Sequence, residues 1–325
     1  MNTQLSDITL CLSDEMSEFE REFESKFHSD SVLLNGILSY TYSLKGKRIR
    51  PLLIFLTAKI FGKITPMTVR SAVIIELLHT ASLLHDDVLD ASGLRRHKST
   101  VNSLFGDNAA ILAGDYLYGK ALSTINTQED FLLMDVFARI ATELPLGEFK
   151  ETDVTAEKDT QYSTYLDVIY YKTASLISAA AECGARTCGN PVTDYALMSE
   201  LGQNIGMAFQ IRDDILDYDK NNLTGKGFGN DIVEKKITLP FILYLQSLND
   251  KEKEDAVEFF FSDDKRQEDI EQFINKVNDS GAVAKALGIQ KQYSDKALKI
   301  VDSMPLNDYS VNLRILVQYL TIRNQ

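Results

Sequence analysis

The chain has 325 residues, 44% of them hydrophobic, with 34 Lys and Arg against 47 Asp and Glu and a formal net charge of −13. That apolar content supports a sizeable core, and the acidic balance excludes a general nucleic-acid binder, which would carry a basic patch or stripe. Three cysteines (Cys11, Cys183, Cys188) form no CxxC pair, and no basic-then-apolar leader opens the chain, so a reduced, cytoplasmic setting is expected.

Nearly every apolar stretch reads at helical period. Leu12, Met16, Phe19, Phe23 and Phe27 fall on one stripe, with Ser13 as the expected N-cap and acids on the opposite face. That stripe predicts core or helix packing. Pro51 suits the first turn of a helix over 52–61, which Gly62 can end. Further helices are predicted around 66–90, 107–125, 129–144, 163–187, 193–218 and 237–248. Two or three more polar ones follow between 251 and 323, punctuated by Gly281 and Pro305. The run from Ser71 to Leu89 is long enough to raise a membrane span, but Glu76, His79, His85 and aspartates interrupt it, which predicts a buried core helix. Alternating strands, internal repeats and linker-like stretches are not evident. The expectation is an all-α protein, a single domain over 1–325 built as a helical bundle around a central active-site cavity.

Two short stretches stand out, Asp86-Asp87-Val88-Leu89-Asp90 and Asp213-Asp214-Ile215-Leu216-Asp217. Each sits in an apolar, helix-like run, where aspartate is a poor helix former and costly to bury. On a helix, positions i and i+4 share a face and i+1 lies about 100° away. Each motif therefore places two or three carboxylates on one wall. Hard divalent cations such as Mg²⁺ take oxygen ligands and bridge carboxylates to substrate phosphates. One such motif could be a solvated acidic patch; two copies, each after a strongly apolar turn, point to a metal–diphosphate site.

Four basic elements accompany the acids. Gly46-Lys47-Arg48-Ile49-Arg50-Pro51 comes directly before a helix start, where free N–H groups with Lys47 and Arg50 suit a diphosphate. His79 lies two turns before Asp86 on roughly the same face. Arg95 and Arg96 follow the first motif, and Lys226 and Lys236 follow the second, the former between Gly225 and Gly227. Singly, each would be an ordinary surface or core residue. As a set they match two anionic groups, one held through metals and one by cations alone. Competing motifs fail: 217–229 lacks the fixed glycine and glutamate of an EF-hand, Gly225-Lys226 is not followed by Ser or Thr, and no dinucleotide fingerprint or HExxH appears.

In order along the chain stand GKRIRP (46–51), LLHTASLLHDDVLD (77–90), RR (95–96), GDYL (114–117), KTASL (172–176), FQIRDDILD (209–217) and DIVEKKITLP (231–240). From about Lys45 to Pro240 the chain resembles the trans-isoprenyl diphosphate synthases, the polyprenyl synthetase family. The resemblance implies a homodimeric prenyltransferase with an isoprenoid-synthase-type fold. Both aspartate motifs would bind Mg²⁺, three ions with substrate present. Asp86, Asp90 and Asp213 would be the principal ligands, with Asp87, Asp214 and Asp217 in support. Gly46, Lys47, Arg50, His79 and Arg96 would hold isopentenyl diphosphate, and Arg95, Lys172, Lys226 and Lys236 the allylic prenyl diphosphate. Thr173 and Gln210 would lie near the reacting carbons. Ionisation, condensation and proton loss would then need a water-poor cavity, and release of a long product implies a contact with a membrane surface. Several positions depart from the family pattern: Lys45 precedes Gly46, Lys235 precedes Lys236, Glu151 ends Gly147-Glu148-Phe149-Lys150-Glu151, and His97-Lys98-Ser99-Thr100 follow the arginines.

In the family, aromatic residues four or five positions before the first motif aspartate stop short chains. Here those positions are Ser82 and Ala81, both small. The expectation is a medium- or long-chain all-trans product of the octaprenyl sort, as used for quinone side chains, with Ala81→Phe shortening it. A farnesyl or geranylgeranyl diphosphate synthase, a terpene cyclase and a non-catalytic subunit of a heteromeric synthase are the alternatives. The intact second motif and paired cation sets disfavour the last two.

Overall fold

A computed structural model describes residues 3–95, 98–125, 131–190, 194–219 and 228–321. Arg96 and Lys226, both expected in diphosphate binding, lie outside the described residues. The elements in order are α1 (Thr3–Cys11), α2 (Ser13–Glu24), α3 (Val32–Ser43), α4 (Ile49–Phe61) and α5 (Pro66–Leu89), then a two-strand antiparallel ribbon of β1 (Leu94–Arg95) and β2 (Lys98–Ser99). There follow α6 (Val101–Phe105), α7 (Asp107–Thr124), α8 (Phe131–Glu157), α9 (Tyr162–Ile169), a π-turn (Tyr170–Ala174), α10 (Ser175–Thr187) and α11 (Tyr195–Leu216). The chain closes with α12 (Asn230–Val233), α13 (Leu239–Leu245), α14 (Asp250–Phe261), α15 (Gln267–Asp279), α16 (Ala282–Asp302) and α17 (Asp308–Thr321). The all-α expectation holds.

The chain divides into two compact units. The first comprises Met1–Thr142, Leu176–Gly202 and Ile300–Leu316; the second comprises Glu143–Ser175, Gln203–Lys299 and Val317–Gln325. In the first, α5 is the organising helix, packed on α2, α4 and α7. Pro66 stands in its first turn, and Thr65 and Thr68 cap it reciprocally, each hydroxyl also donating to the Thr187 carbonyl at 2.9 Å. This helix is apolar and long enough to cross a membrane, but two-thirds of its most apolar window is buried inside the protein. It is a core helix, as its interrupting charges predict. The second unit centres on Ile211, Ile215, Tyr218, Phe241, Phe260, Phe273 and Ile274, with the Phe241 and Phe260 rings stacked at 3.9 Å.

Three boundaries differ from expectation for local reasons. Ser13 is not the cap of α2: the chain runs almost directly from α1 into α2, and Leu12, fully buried, occupies the cap position without a side-chain bond. The helix predicted to stop near 144 continues through Pro145 to Glu157. The single helix predicted over 163–187 is broken by the π-turn, which carries Lys172 and Thr173. Single π-turns inside helices are often found at functional sites. Two glycines admit this one closely. A Cβ added at Gly206 would lie 2.4 Å from Ala174 Cα, and one at Gly147 would lie 2.7 Å from the Lys172 amide nitrogen. Gly206→Ala should therefore lower the unfolding free energy by about 1–3 kcal/mol through overpacking. Urea denaturation checks this, and an unchanged midpoint would show that the π-turn can move aside.

Candidate active site

In the first unit the acidic motif closes α5. Asp86 is half-buried and Asp90, the C-cap, is exposed; the Asp90 amide donates to the Asp86 carbonyl at 2.8 Å. Burial, then the charges of Asp86 and Asp115, push the Tyr118 hydroxyl up to about 12. Asp87 turns inward instead and is 4% exposed. Its Oδ1 accepts from Arg95 Nε and Nη2, both at 2.8 Å, while its backbone oxygen accepts from Asn102 Nδ2 at 3.1 Å. The motif thus splits as its helical angles require, with Asp86 and Asp90 on one wall and Asp87 anchoring the ribbon.

Beside it lies a cavity of about 410 Å³, lined by Gly46, His79, Arg95, Lys45, Arg48 and Lys98 among others. Of the residues expected to hold isopentenyl diphosphate, Gly46 and His79 meet here. Lys47, exposed on the loop, and Arg50, half-buried in the first turn of α4, stand outside the lining. Arg95, expected with the allylic diphosphate, shares this cavity. Arg48 is the N-cap of α4 and holds a left-handed backbone at φ 53°, ψ 38°. Such a conformation costs a non-glycine residue about 1–3 kcal/mol and persists where side-chain contacts fix it. Here Arg48 Nε reaches Glu20 Oε1 at 2.8 Å and Nη1 reaches Glu76 Oε1 at 3.1 Å. Neither Glu20 nor Arg48 is among the residues that the sequence motifs single out, and Arg48 is marked only by its place inside GKRIRP.

In the second unit Asp213 is exposed, whereas Asp214 is 5% exposed. Asp214 accepts from the Tyr165 hydroxyl at 2.6 Å and from Gln210 Nε2 at 2.9 Å. Burial outweighs those bonds and pushes its carboxyl up to about 7. Asp217 accepts the backbone N–H groups of Asn230 and Asp231, each at 3.0 Å, yet burial still raises it. Buried Asp231 is pushed well up by desolvation and by Asp217 and Asp214. The Lys236 amide donates to the Asp231 carbonyl at 2.8 Å, and its ammonium pairs with Glu234 at 2.7 Å.

The π-turn adds a cation and a relay. Lys172 Nζ donates to Glu148 at 2.9 Å and Glu151 at 2.6 Å. Burial alone would lower its pKa, but those two carboxylates hold it above the ordinary lysine range. Thr173 Oγ1 donates to Gln210 Oε1 at 2.7 Å, so Thr173, Gln210, Asp214 and Tyr165 form one hydrogen-bonded chain. That chain fixes the rotamers of Thr173 and Gln210, the two residues expected near the reacting carbons.

The acids fit a hard divalent cation. Burial first, and then repulsion from neighbouring carboxylates including Asp213, raises Asp214, Asp217 and Asp231 together, the electrostatic condition that a bound cation relieves. Among the described residues, no group of three His, Cys, Asp or Glu side chains is arranged to hold a metal by itself. A metal bound through one or two carboxylates and completed by substrate phosphate is consistent with that arrangement.

A family model described as polyprenyl synthetase matches residues 31–277. The octaprenyl diphosphate synthase of Haemophilus influenzae is 30% identical over 319 residues, covering 98% of this chain and 96% of its own. A decaprenyl diphosphate synthase from Rhodobacter capsulatus superposes with a TM-score of 0.92 at 29% identity, covering 99% of both chains. A polyprenyl synthase from Caulobacter crescentus, solved with calcium and isoprenyl diphosphate, gives a TM-score of 0.90 at 29% identity over 99% of this chain and 98% of that one. A geranylgeranyl pyrophosphate synthase from Bacteroides thetaiotaomicron gives 0.83 at 29% identity, over 98% and 99%.

The Asp214 environment has a measurable consequence. A carboxyl held at about 7 rather than the ordinary 3.8 favours the folded state while protonated, and that advantage falls as pH rises between those two values. Asp214→Asn cannot ionise. In metal-free buffer the stability of the wild type relative to this variant should therefore decline from about pH 4 to about pH 7 and then level off. Urea denaturation across that range tests it, and a flat difference would show that Asp214 ionises normally.

Proposed function

The chain belongs to the polyprenyl synthetase family, and from that premise we propose that it is a Mg²⁺-dependent prenyltransferase that condenses isopentenyl diphosphate with an allylic prenyl diphosphate and makes a medium- or long-chain all-trans product. The carrying observation is the common division of labour in the two acidic motifs. In each, the second aspartate is buried on protein donors while the first keeps accessible surface. A cation-rich cavity of about 410 Å³, within the usual range for small-molecule sites, accompanies the first motif.

In this reading Asp86, Asp90 and Asp213 hold Mg²⁺, with Asp87, Asp214 and Asp217 supporting them. The metal would neutralise charge on the departing diphosphate. Lys172, Lys236, Arg95 and Lys226 bind the allylic diphosphate. Gly46, Lys47, Arg50, His79 and Arg96 orient isopentenyl diphosphate so that its double bond attacks the allylic carbon as the diphosphate leaves. Loss of one proton regenerates an allylic product. Thr173 and Gln210, held by the Asp214–Tyr165 chain, present oriented dipoles to the developing positive charge.

The same reading makes 1–325 one polyprenyl synthetase domain, since the matched stretch draws on both compact units. It also places the enzyme in the cytoplasm as a homodimer that touches a membrane surface when it releases product. Exposed Leu112 on α7 and Phe131 on α8 support a partner surface. Chain length rests on Ala81 and Ser82. Ala81 is fully enclosed, while Ser82 is half-buried and its hydroxyl donates to the His79 carbonyl at 3.0 Å. Bulk at 82 is therefore the milder test, because bulk at 81 displaces packed neighbours. The similarity to geranylgeranyl pyrophosphate synthases supports a short-chain product as the second reading.

Incubation with Mg²⁺, farnesyl diphosphate and labelled isopentenyl diphosphate, followed by chromatography, decides between them. Products longer than geranylgeranyl are expected; none beyond it would favour the second reading, and no elongation at all would refute both. Asp86→Asn, Asp90→Asn and Asp213→Asn should each reduce kcat by about a hundredfold or more, the scale seen when one group stabilising developing charge is removed. Ser82→Phe should shift products to shorter chains with activity retained, and Ala81→Phe should do so with a lower Tm. An unchanged product distribution in both variants would remove position 81–82 as the length determinant.

A further inference from the structure

The loop between α3 and α4, residues 44–48, carries Gly46 and Lys47 and contributes Leu44, Lys45, Gly46 and Arg48 to the cavity lining. Its two ends are held by one carboxylate from outside the loop. Glu20, on α2, accepts from Arg48 Nε through Oε1 at 2.8 Å and from the Tyr42 hydroxyl through Oε2 at 3.2 Å. Tyr42 lies in the last turn of α3 and Arg48 caps α4, so the two bonds span the loop from its entry to its exit. Phe23 and Phe27 follow Glu20 and line the same cavity, and the Arg48 guanidinium carbon sits 4.5 Å from the Phe23 ring centroid. On the other side Glu76, 4% exposed and itself a lining residue, accepts from Arg48 through Oε1; its buried Oε2 has no hydrogen-bond partner among the described residues. Arg48 therefore has its charge matched by two acids, and its left-handed backbone is fixed from both sides.

We propose that Glu20 is a positioning residue for isopentenyl diphosphate binding: through Tyr42 and Arg48 it sets the conformation of the Gly46–Lys47 loop. The matched family stretch begins at residue 31, so α2 lies ahead of it and the role falls to a helix the family model does not cover. A single carboxylate can accept from both donors, whereas an amide of the same shape has one acceptor oxygen and a nitrogen that donates. Losing the charge also leaves Arg48 with one acid instead of two. The loop then gains freedom where its backbone N–H groups and Lys47 must converge on phosphate oxygens.

The inference rests on the prenyl-transfer reading, and its test separates the two. Steady-state kinetics are run on the wild type, Glu20→Gln, Tyr42→Phe and the double variant, varying each substrate in turn, with Tm recorded for all four. Glu20→Gln should raise KM for isopentenyl diphosphate about tenfold, on the scale of one hydrogen bond to a charged group. Its kcat and its KM for the allylic substrate should stay near wild-type values, and its Tm should fall only modestly because Glu76 still pairs with Arg48. The double variant should lose less than the product of the single losses, because both substitutions break one linkage. Equal changes in both KM values and kcat together with a fall in Tm would assign Glu20 to stability alone and overturn the proposal, as would an unchanged KM for isopentenyl diphosphate. A wild type that fails to elongate would instead overturn the reading beneath it. Calorimetric titration of isopentenyl diphosphate into the wild type and Glu20→Gln then still decides the Glu20 role, by whether the variant's Kd rises.

Discussion

A carboxylate buried in an apolar helix must be given donors, and much of this structure follows from meeting that demand. Asp87 receives two guanidinium nitrogens from Arg95, Asp214 receives a phenol and an amide, and Asp217 receives two backbone N–H groups. Removing one partner of a buried pair typically costs about 3–5 kcal/mol, because the remaining charge is stranded. Each donor therefore binds an element to the helix bearing the aspartate. Arg95 ties the β1–β2 ribbon to α5, Tyr165 ties α9 to α11, and the amides of 230 and 231 tie the start of α12 to the end of α11. The acidic motifs are structural junctions as well as ligand sets.

Both motifs solve the demand in the same way. The second aspartate turns inward and the first faces out, as a rotation of about 100° per residue dictates. Half-buried cations obey the mirror rule. Lys172 sits between Glu148 and Glu151, and Arg48 between Glu20 and Glu76. Glu151 is one of the chain's departures from its family pattern. Where a glutamine would offer one neutral acceptor, the glutamate brings a full charge to 2.6 Å from Lys172 and favours the ammonium.

The sequence exposed the helices and the acidic motifs because both are local. Periodicity marked α5 and α11 almost to their ends, and the i, i+1, i+4 spacing of the aspartates already implied their split. What depends on distant partners was hidden. Nothing in Tyr165 or Glu148 signals that a residue dozens of positions away needs a donor or an acceptor. The π-turn was hidden for a related reason: Gly147 and Gly206, which pack closely against it, lie outside the run it interrupts. Glu20 falls opposite the apolar stripe of its own helix, and its contacts with Tyr42 and Arg48 come from residues more than twenty positions away. Arg96 and Lys226 were legible as motif residues and fall outside the described residues.

The ribbon after the first motif shows how these local solutions combine. Arg95 and Lys98 are register partners, so their side chains leave the same face of a two-stranded ribbon, and like charges placed directly opposite weaken such a pair. Asp87 offsets one of them. Lys98 donates to the Ser43 carbonyl at 3.5 Å and lines the same cavity as Arg95. An anion in that cavity would relieve the remaining repulsion and tighten the ribbon. By linkage, a tighter ribbon would in turn hold the anion more firmly. Lys98 thus adds a second positive charge beside Arg95 to the wall of that cavity, and only one of the two is matched by the buried Asp87.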